Sequence, residues 1–371
     1  MKSRSAFYIV LVNAAVAFAV NEVNEESCNH NWEKSCPRIP AFSVLNKYKG
    51  ERSTVSKISS QSCTAIEYFP SKLESHWMTQ VTQIVKNMSY GCWDCGCAHV
   101  HASENMIRHW LRVHENRNDF DRKVEWSSSV FSYHEVTNIC PKAHHTRHVY
   151  RVPIEPLFGF LRHPSDYCGS RTSPEANADF KLDKNYMIQR RLEEIPKYSR
   201  AFLFDLGAST YVEGAGGASQ SWFVDQFSSR GINFDRILAW EAKPMSDEKI
   251  YEAVPPKVVN KLTYFNIPAD PSPGAKHNPL RILSEITHPD DFVVLKIDID
   301  RSEIEVPLIH QIIKQASIHT RVDELYFEHH VSRSPMHWRG WGKSVGNATL
   351  PDSYRLFSKL RSLGIRAHSW V

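Results

Sequence analysis

The sequence predicts an α/β protein in which a doubly wound, mostly parallel sheet follows a cysteine-rich, loop- and helix-containing N-terminal region. Three observations carry this. Short apolar runs at 201–204, 236–240, 292–299 and 322–327 alternate with helical patterns, as βαβ units require. Acids and histidines gather just after those runs, at the strand ends where open α/β sheets bind ligands. All eight cysteines, Cys28, Cys36, Cys63, Cys92, Cys95, Cys97, Cys140 and Cys168, precede the first run.

Lys2 and Arg4 stand before an apolar run over 6–20 that is broken only by Asn13, and Ala17-Phe18-Ala19 has the small-x-small form of a cleavage site. The run is shorter than the about 20 residues a spanning helix needs. A signal peptide over 1–19 is therefore expected rather than an uncleaved anchor, and no other stretch could span a bilayer. An even set of cysteines then reads as disulfides of open pairing, and Asn87-Met88-Ser89 and Asn347-Ala348-Thr349 are glycosylation sequons. These features point to the secretory pathway, either the ER/Golgi lumen or the exterior. The formal net charge is +4, and the basic residues are scattered. That argues against a nucleic-acid partner, and no membrane partner is expected beyond the N-terminal segment.

The division expected is 1–19, a cysteine-rich region over 20–185, and an α/β domain over 186–371. Residues 21–62 show no clear period, whereas 73–88 reads as a helix with Trp77, Val81, Ile84 and Val85 on one face. Cys92 to His101 packs three cysteines and two histidines into ten positions. Zinc could use them, but an oxidising route favours disulfides. A helix follows over 105–115. The His-rich patch at 140–148, with His144 and His148, reads as a solvated basic loop. A charged helix over 186–195 leads into the sheet.

The strand at 201–204 breaks at Asp205-Leu206-Gly207 and enters a turn containing Gly214, Gly216 and Gly217. A helix over 218–229 carries Trp222, Phe223, Gln226 and Phe227 and stops at Gly231; a strand over 236–240 then ends on Glu241. This is a dinucleotide-type βαβ unit, in which the terminal acid can hold ribose hydroxyls. Next come a strand at 262–267, a loop containing Asp270, a helix at 280–286, and the strand at 292–299 with Lys296 and Asp298 inside it. A helix at 303–317, a strand ending in Glu328-His329-His330, a helix at 353–362 and a closing strand at 365–371 complete the chain. Asp298 and Asp300 share a side if the strand reaches that far; alternatively Asp300 caps the next helix.

Asp205-Leu206-Gly207-Ala208, Glu241, and Leu295-Lys296-Ile297-Asp298-Ile299-Asp300 with Glu303 resemble the FkbM-like S-adenosylmethionine-dependent methyltransferases, a class I, Rossmann-like group, over about 202–327. The chain departs from that pattern with Ser209 and Tyr211 in the first turn, and with Asp300 and Arg301 where the group has Glu and Gly. The resemblance implies S-adenosylmethionine as cofactor, with contacts at Asp205, Gly207, Ala208 and Glu241, and at Asp270 in the later loop. It implies methyl transfer to an oxygen of a glycan or other secretory-pathway acceptor. Asp298, His329 and His330 are the candidate bases, and no metal is assigned. Two alternatives stay open. One is a glycosyltransferase that holds a divalent ion on the D-x-D pair Asp298 and Asp300. The other is a non-catalytic binding protein whose cofactor space is crowded by Tyr211.

Overall fold

The computed structural model describes residues 54–58, 63–89, 93–115, 128–138, 149–161, 184, 187–192, 195, 198–214, 219–332 and 344–370. The expected signal segment and Cys28, Cys36, Cys92, Cys140, Cys168, His144 and His148 lie outside them, as do Gly216 and Gly217. Among the described residues no helix is long and apolar enough to cross a membrane.

The N-terminal region contains a sheet that the expectation of loops and helices lacks. Strands β1 (Thr54–Ile58), β2 (Cys63–Phe69), β3 (Ser132–Asn138) and β4 (Val149–Ile154) pair antiparallel in that order. Residue 54–58 therefore form a strand inside a stretch read as aperiodic. The alternation that builds β2 is in the sequence: Thr64, Ile66 and Tyr68 are buried, while Ala65, Glu67 and Phe69 are half-buried. Two helices separate β2 from β3, α1 (Lys72–Ser89) and α2 (Trp93–Glu115). The second reaches back to take in Cys95, Cys97, His99 and His101.

The C-terminal half is α/β, with a six-stranded parallel sheet. Its strands are β5 (Ala201–Leu206), β6 (Arg236–Trp240), β7 (Leu262–Phe265), β8 (Phe292–Ile297), β9 (Glu324–Phe327) and β10 (Arg366–Ser369). Their order is β10-β9-β8-β5-β6-β7, and every pairing is parallel. The winding reverses between β5 and β8, and every residue of both strands is buried. A crevice outside the strand ends at such a reversal is the position where open sheets bind ligands. The flanking helices are α3 (Ser219–Ser228), α4 (Asp247–Tyr251), α5 (Pro256–Val259), α6 (Pro279–Ile286), α7 (Ser302–Lys314), α8 (Ala316–His319) and α9 (Leu350–Ser362). The short α4 and α5 were not legible in advance.

The charged helix expected over 186–195 is absent among its described residues. Its local pattern is overruled by two buried side chains: Ile188 N donates to Glu155 Oε2 (2.9 Å), and Ile188 O accepts from Arg366. With both backbone groups taken, no helical ladder forms there.

The same seam joins the two sheets. Arg361 of α9 donates to Glu74 of α1 (2.8 Å), which also accepts from Ser132 and from Leu157 N. His368 of β10 bridges Glu155 and Glu324, 2.7 Å from each. Arg366 pairs with Glu324 at 2.8 Å. Burial alone would push His368 down, but the two carboxylates outweigh it and hold it above its ordinary value. The main apolar core runs from Leu73 and Trp77 to Phe357 and Trp370, and Ile66, Val136 and Val152 form a separate small cluster on the N-terminal sheet.

Candidate functional site

A cavity of about 300 Å³ opens at the reversal between β5 and β8. Its lining includes Gly207, Ala208, Ser209, Glu241, Asp298 and Asp300. The turn after β5 is forced by close approach. Gly207 has φ +81°, and a Cβ there would lie 1.6 Å from Asp298 O. Glycine thus lets the β5 turn pass against the β8 turn. Gly207 N and Ala208 N both donate to Trp240 O at 3.0 Å, which ties the turn to the tip of β6. Two non-glycine residues on the cavity wall also have left-handed backbone, Ser209 (φ 49°) and Asp300 (φ 61°).

Glu241, just past β6, is fixed by its neighbours. Ser209 N donates to Oε2 (3.1 Å) and Lys243 N to Oε1 (2.8 Å). Each carboxylate oxygen keeps acceptor capacity, so hydroxyls in the cavity can still bind there. Ile267, Pro268 and Ala269 form an apolar wall, and Ser219, the first residue of α3, also lines the cavity.

Lys296 and Asp298 on the lining join the buried Asp205 in a charged cluster that the sequence hinted at only by a lysine inside an apolar strand. Asp205 and Lys296 are register partners on β5 and β8, and Asp298 follows Lys296 by two. Lys296 Nζ lies 3.3 Å from Asp205 Oδ1 and 3.2 Å from Asp298 Oδ2, and it donates to Gly207 O at 2.7 Å. Ser219 Oγ donates to Asp205 Oδ2 (2.8 Å), and Trp370 Nε1 to Asp298 Oδ2 (3.1 Å). Burial drives the lysine's pKa down, but Asp205 and Asp298 more than offset it, so Lys296 stays charged.

The expected site residues separate into two groups. Gly207, Ala208, Glu241 and Asp298 line the cavity together. Asp205 does not; it is fully buried and supports the floor through Lys296 and Ser219. Asp270 is also outside the lining, its Oδ1 taken by Ser272 N (2.8 Å) in a local turn, although neighbouring Ala269 does line it. Tyr211 is buried in the core and leaves the cavity uncrowded. Strand β8 ends at Ile297, so its alternation does not extend to Asp298 and Asp300; Asp300 turns left-handed, and both acids line the cavity. Asp300 is not the cap either; Arg301 holds that position.

Neither histidine lines the cavity. His329 is buried, stacked on Phe327 with centroids 5.2 Å apart, and its Nδ1 lies 2.9 Å from Ser353 Oγ of α9. Burial pushes its pKa down to about 4, so the near-neutral titration expected of a base is absent. The unfolded chain therefore takes up a proton here as the pH falls from 6.5 to about 4, and the folded chain resists it. This one group is expected to remove about 3 kcal/mol of stability across that interval. Urea unfolding across that interval should show the loss reduced in His329→Leu; parallel profiles for the two proteins would contradict it.

His330 is fully buried, with Nε2 2.9 Å from Glu328 Oε2 and 3.6 Å from Asp300 Oδ1. Glu305 reaches the same loop from the first turn of α7, its Oε1 accepting from Ile299 N at 2.7 Å. Burial raises its pKa to about 7.

No family model matches the chain, and comparison with curated proteins and with solved structures gives no significant match.

Proposed function

We propose that this chain is an S-adenosylmethionine-dependent methyltransferase of the class I, FkbM-like kind, acting on an oxygen of a glycan or other secretory-pathway acceptor. The observation that carries this reading is Glu241, held by two backbone amides on the wall of a cavity at the sheet's reversal point. An adenosyl group fits such a wall. Its ribose hydroxyls would donate to Glu241, its base would lie against Ile267, Pro268 and Ala269, and the amino-acid part would face the turn after β5 and the start of α3. The volume is at the lower end of the range for small-molecule sites.

The sulfonium, when bound, supplies the electrophilic methyl group. What remains for the chain is to orient the acceptor in line and to receive its proton. Asp298 is the carboxylate on the wall suited to that, its position set by Lys296 and Trp370. His329 is set aside, because its ring is enclosed by Phe327 and Ser353. The commitment of Asp298 to Lys296 and Trp370 also weighs against a D-x-D pair sharing an ion. Tyr211 is buried and does not line the cavity, which supports an open site over a blocked one. The secretory acceptor rests on the N-terminal segment, the cysteines and the sequons, of which Asn347 is exposed.

Glu241→Ala is expected to weaken S-adenosylhomocysteine binding at least tenfold, about 1.4 kcal/mol, with little change in stability. Calorimetric titration of both proteins checks this. Equal affinities would remove Glu241 from the site, and stabilisation by a nucleoside diphosphate with Mn²⁺ beyond that given by Mn²⁺ alone would favour sugar transfer.

A further inference from the structure

We propose that Asp300, Glu328 and His330 form a binding site for one divalent cation, of the kind that takes mixed oxygen and imidazole ligands, at the edge of the cavity. Their ligand atoms all lie within 4.8 Å of one another. Two donors about 2.1 Å from a common ion stand about 3.0 Å apart at a right angle and about 3.4 Å apart at a tetrahedral angle. The separations of 2.9 Å from His330 Nε2 to Glu328 and 3.6 Å to Asp300 bracket those values. The ring is oriented from behind, with Nδ1 2.7 Å from Ser344 Oγ. A proton on Nδ1 donated to that hydroxyl leaves the Nε2 lone pair for the metal, the usual arrangement for a ligating histidine.

An independent observation points to a ligand in the same place. Glu305 is 1% exposed, and its Oε2 is buried with no hydrogen-bond partner. Its other oxygen accepts from Ile299 N at 2.7 Å, next to Asp300, which sets the carboxyl beside the loop that carries the ligand set. A buried carboxylate oxygen beside a ligand set is where a metal-bound water would donate. Asp300 both belongs to the set and lines the cavity, which places the cation against whatever occupies the rim. Two carboxylates and one imidazole suit Mn²⁺ or Zn²⁺ better than Ca²⁺.

The cation's role rests on the methyl-transfer reading: it would hold an acceptor hydroxyl beside Asp298 and lower that hydroxyl's pKa. The site itself does not rest on it. The test is titration of the full chain, cleared of metal with EDTA, with MnCl₂ alone, followed by calorimetry and by loss of the free Mn²⁺ paramagnetic signal. Mn²⁺ avoids competition from cysteine thiolates, which prefer zinc. The expected result is one ion per chain, weakened at least tenfold in both Asp300→Asn and Glu328→Gln. Asp300 is exposed, so its variant should remain folded. Absence of saturable binding at millimolar Mn²⁺ would overturn the proposal. So would binding unchanged in both variants, or binding lost in Asp298→Asn but kept in Glu328→Gln. S-adenosylhomocysteine titrated without metal reports separately on the methyl-donor reading.

Discussion

Lys296→Met is expected to destabilise the protein by about 3–5 kcal/mol, a large part of the 5–15 kcal/mol that holds a typical domain folded. Lys296 is 2% exposed and is the ion-pair partner of both Asp205 and Asp298. Asp205 is fully buried, and its pKa is already raised by desolvation, which Lys296 only partly offsets. Removing the cation leaves the buried Asp205 and the wall carboxylate Asp298 without their shared partner and deprives Gly207 O of its donor. Guanidinium unfolding reads the loss. Adding Asp205→Asn should return part of it, because asparagine can still accept from Ser219 while carrying no charge. If the double variant is as unstable as the sum of the single ones, the pair is not coupled and the charged cluster does not hold the floor.

Gly207→Ala should cost several kcal/mol and remove ligand binding together. The left-handed backbone at φ +81° costs an alanine about 1–2 kcal/mol. The three atoms nearest the added methyl are all backbone of the β8 turn: Asp298 O at 1.6 Å, Asp298 C at 2.6 Å and Ile299 Cα at 3.2 Å. No side chain can rotate aside, so the β8 turn must move, and overpacking of this kind costs about 1–3 kcal/mol more. That turn carries Asp298 and Asp300 to the cavity wall. The expected outcome is a lowered melting temperature and at least tenfold weaker S-adenosylhomocysteine binding in the fraction still folded. Full affinity in a destabilised variant would separate the turn from the ligand.

Strands β5, β6 and β8 of the parallel sheet were legible because each is a short, largely apolar run ended by a polar break. Arg236–Trp240 and Glu241 show this best, since a buried strand needs no distant partner to be recognised. Asp205 was misplaced for a physical reason. At the tip of a strand, a carboxylate facing a cavity and one facing a lysine on the next strand look alike, and the register of Asp205 with Lys296 is a non-local fact. The histidines failed similarly. What encloses His329 is Ser353, far along the chain on α9, and what holds His330 is Glu328 with Ser344. The missing helix at 187–192 has good local helical character, overridden by Glu155 and Arg366. Glu305 gave no signal, since a first-turn acid on a helix is ordinary.

The central claim is that the wall formed by Glu241 and the turn after β5 seats an adenosyl group. Crystals grown with S-adenosylhomocysteine test it most directly. The account predicts ribose hydroxyls within about 3 Å of the Glu241 carboxylate, with the amino-acid part against Gly207 and Ala208. Ligand density on another face of the molecule, or a cavity closed by side chains in a protein that calorimetry finds unable to bind, would contradict it.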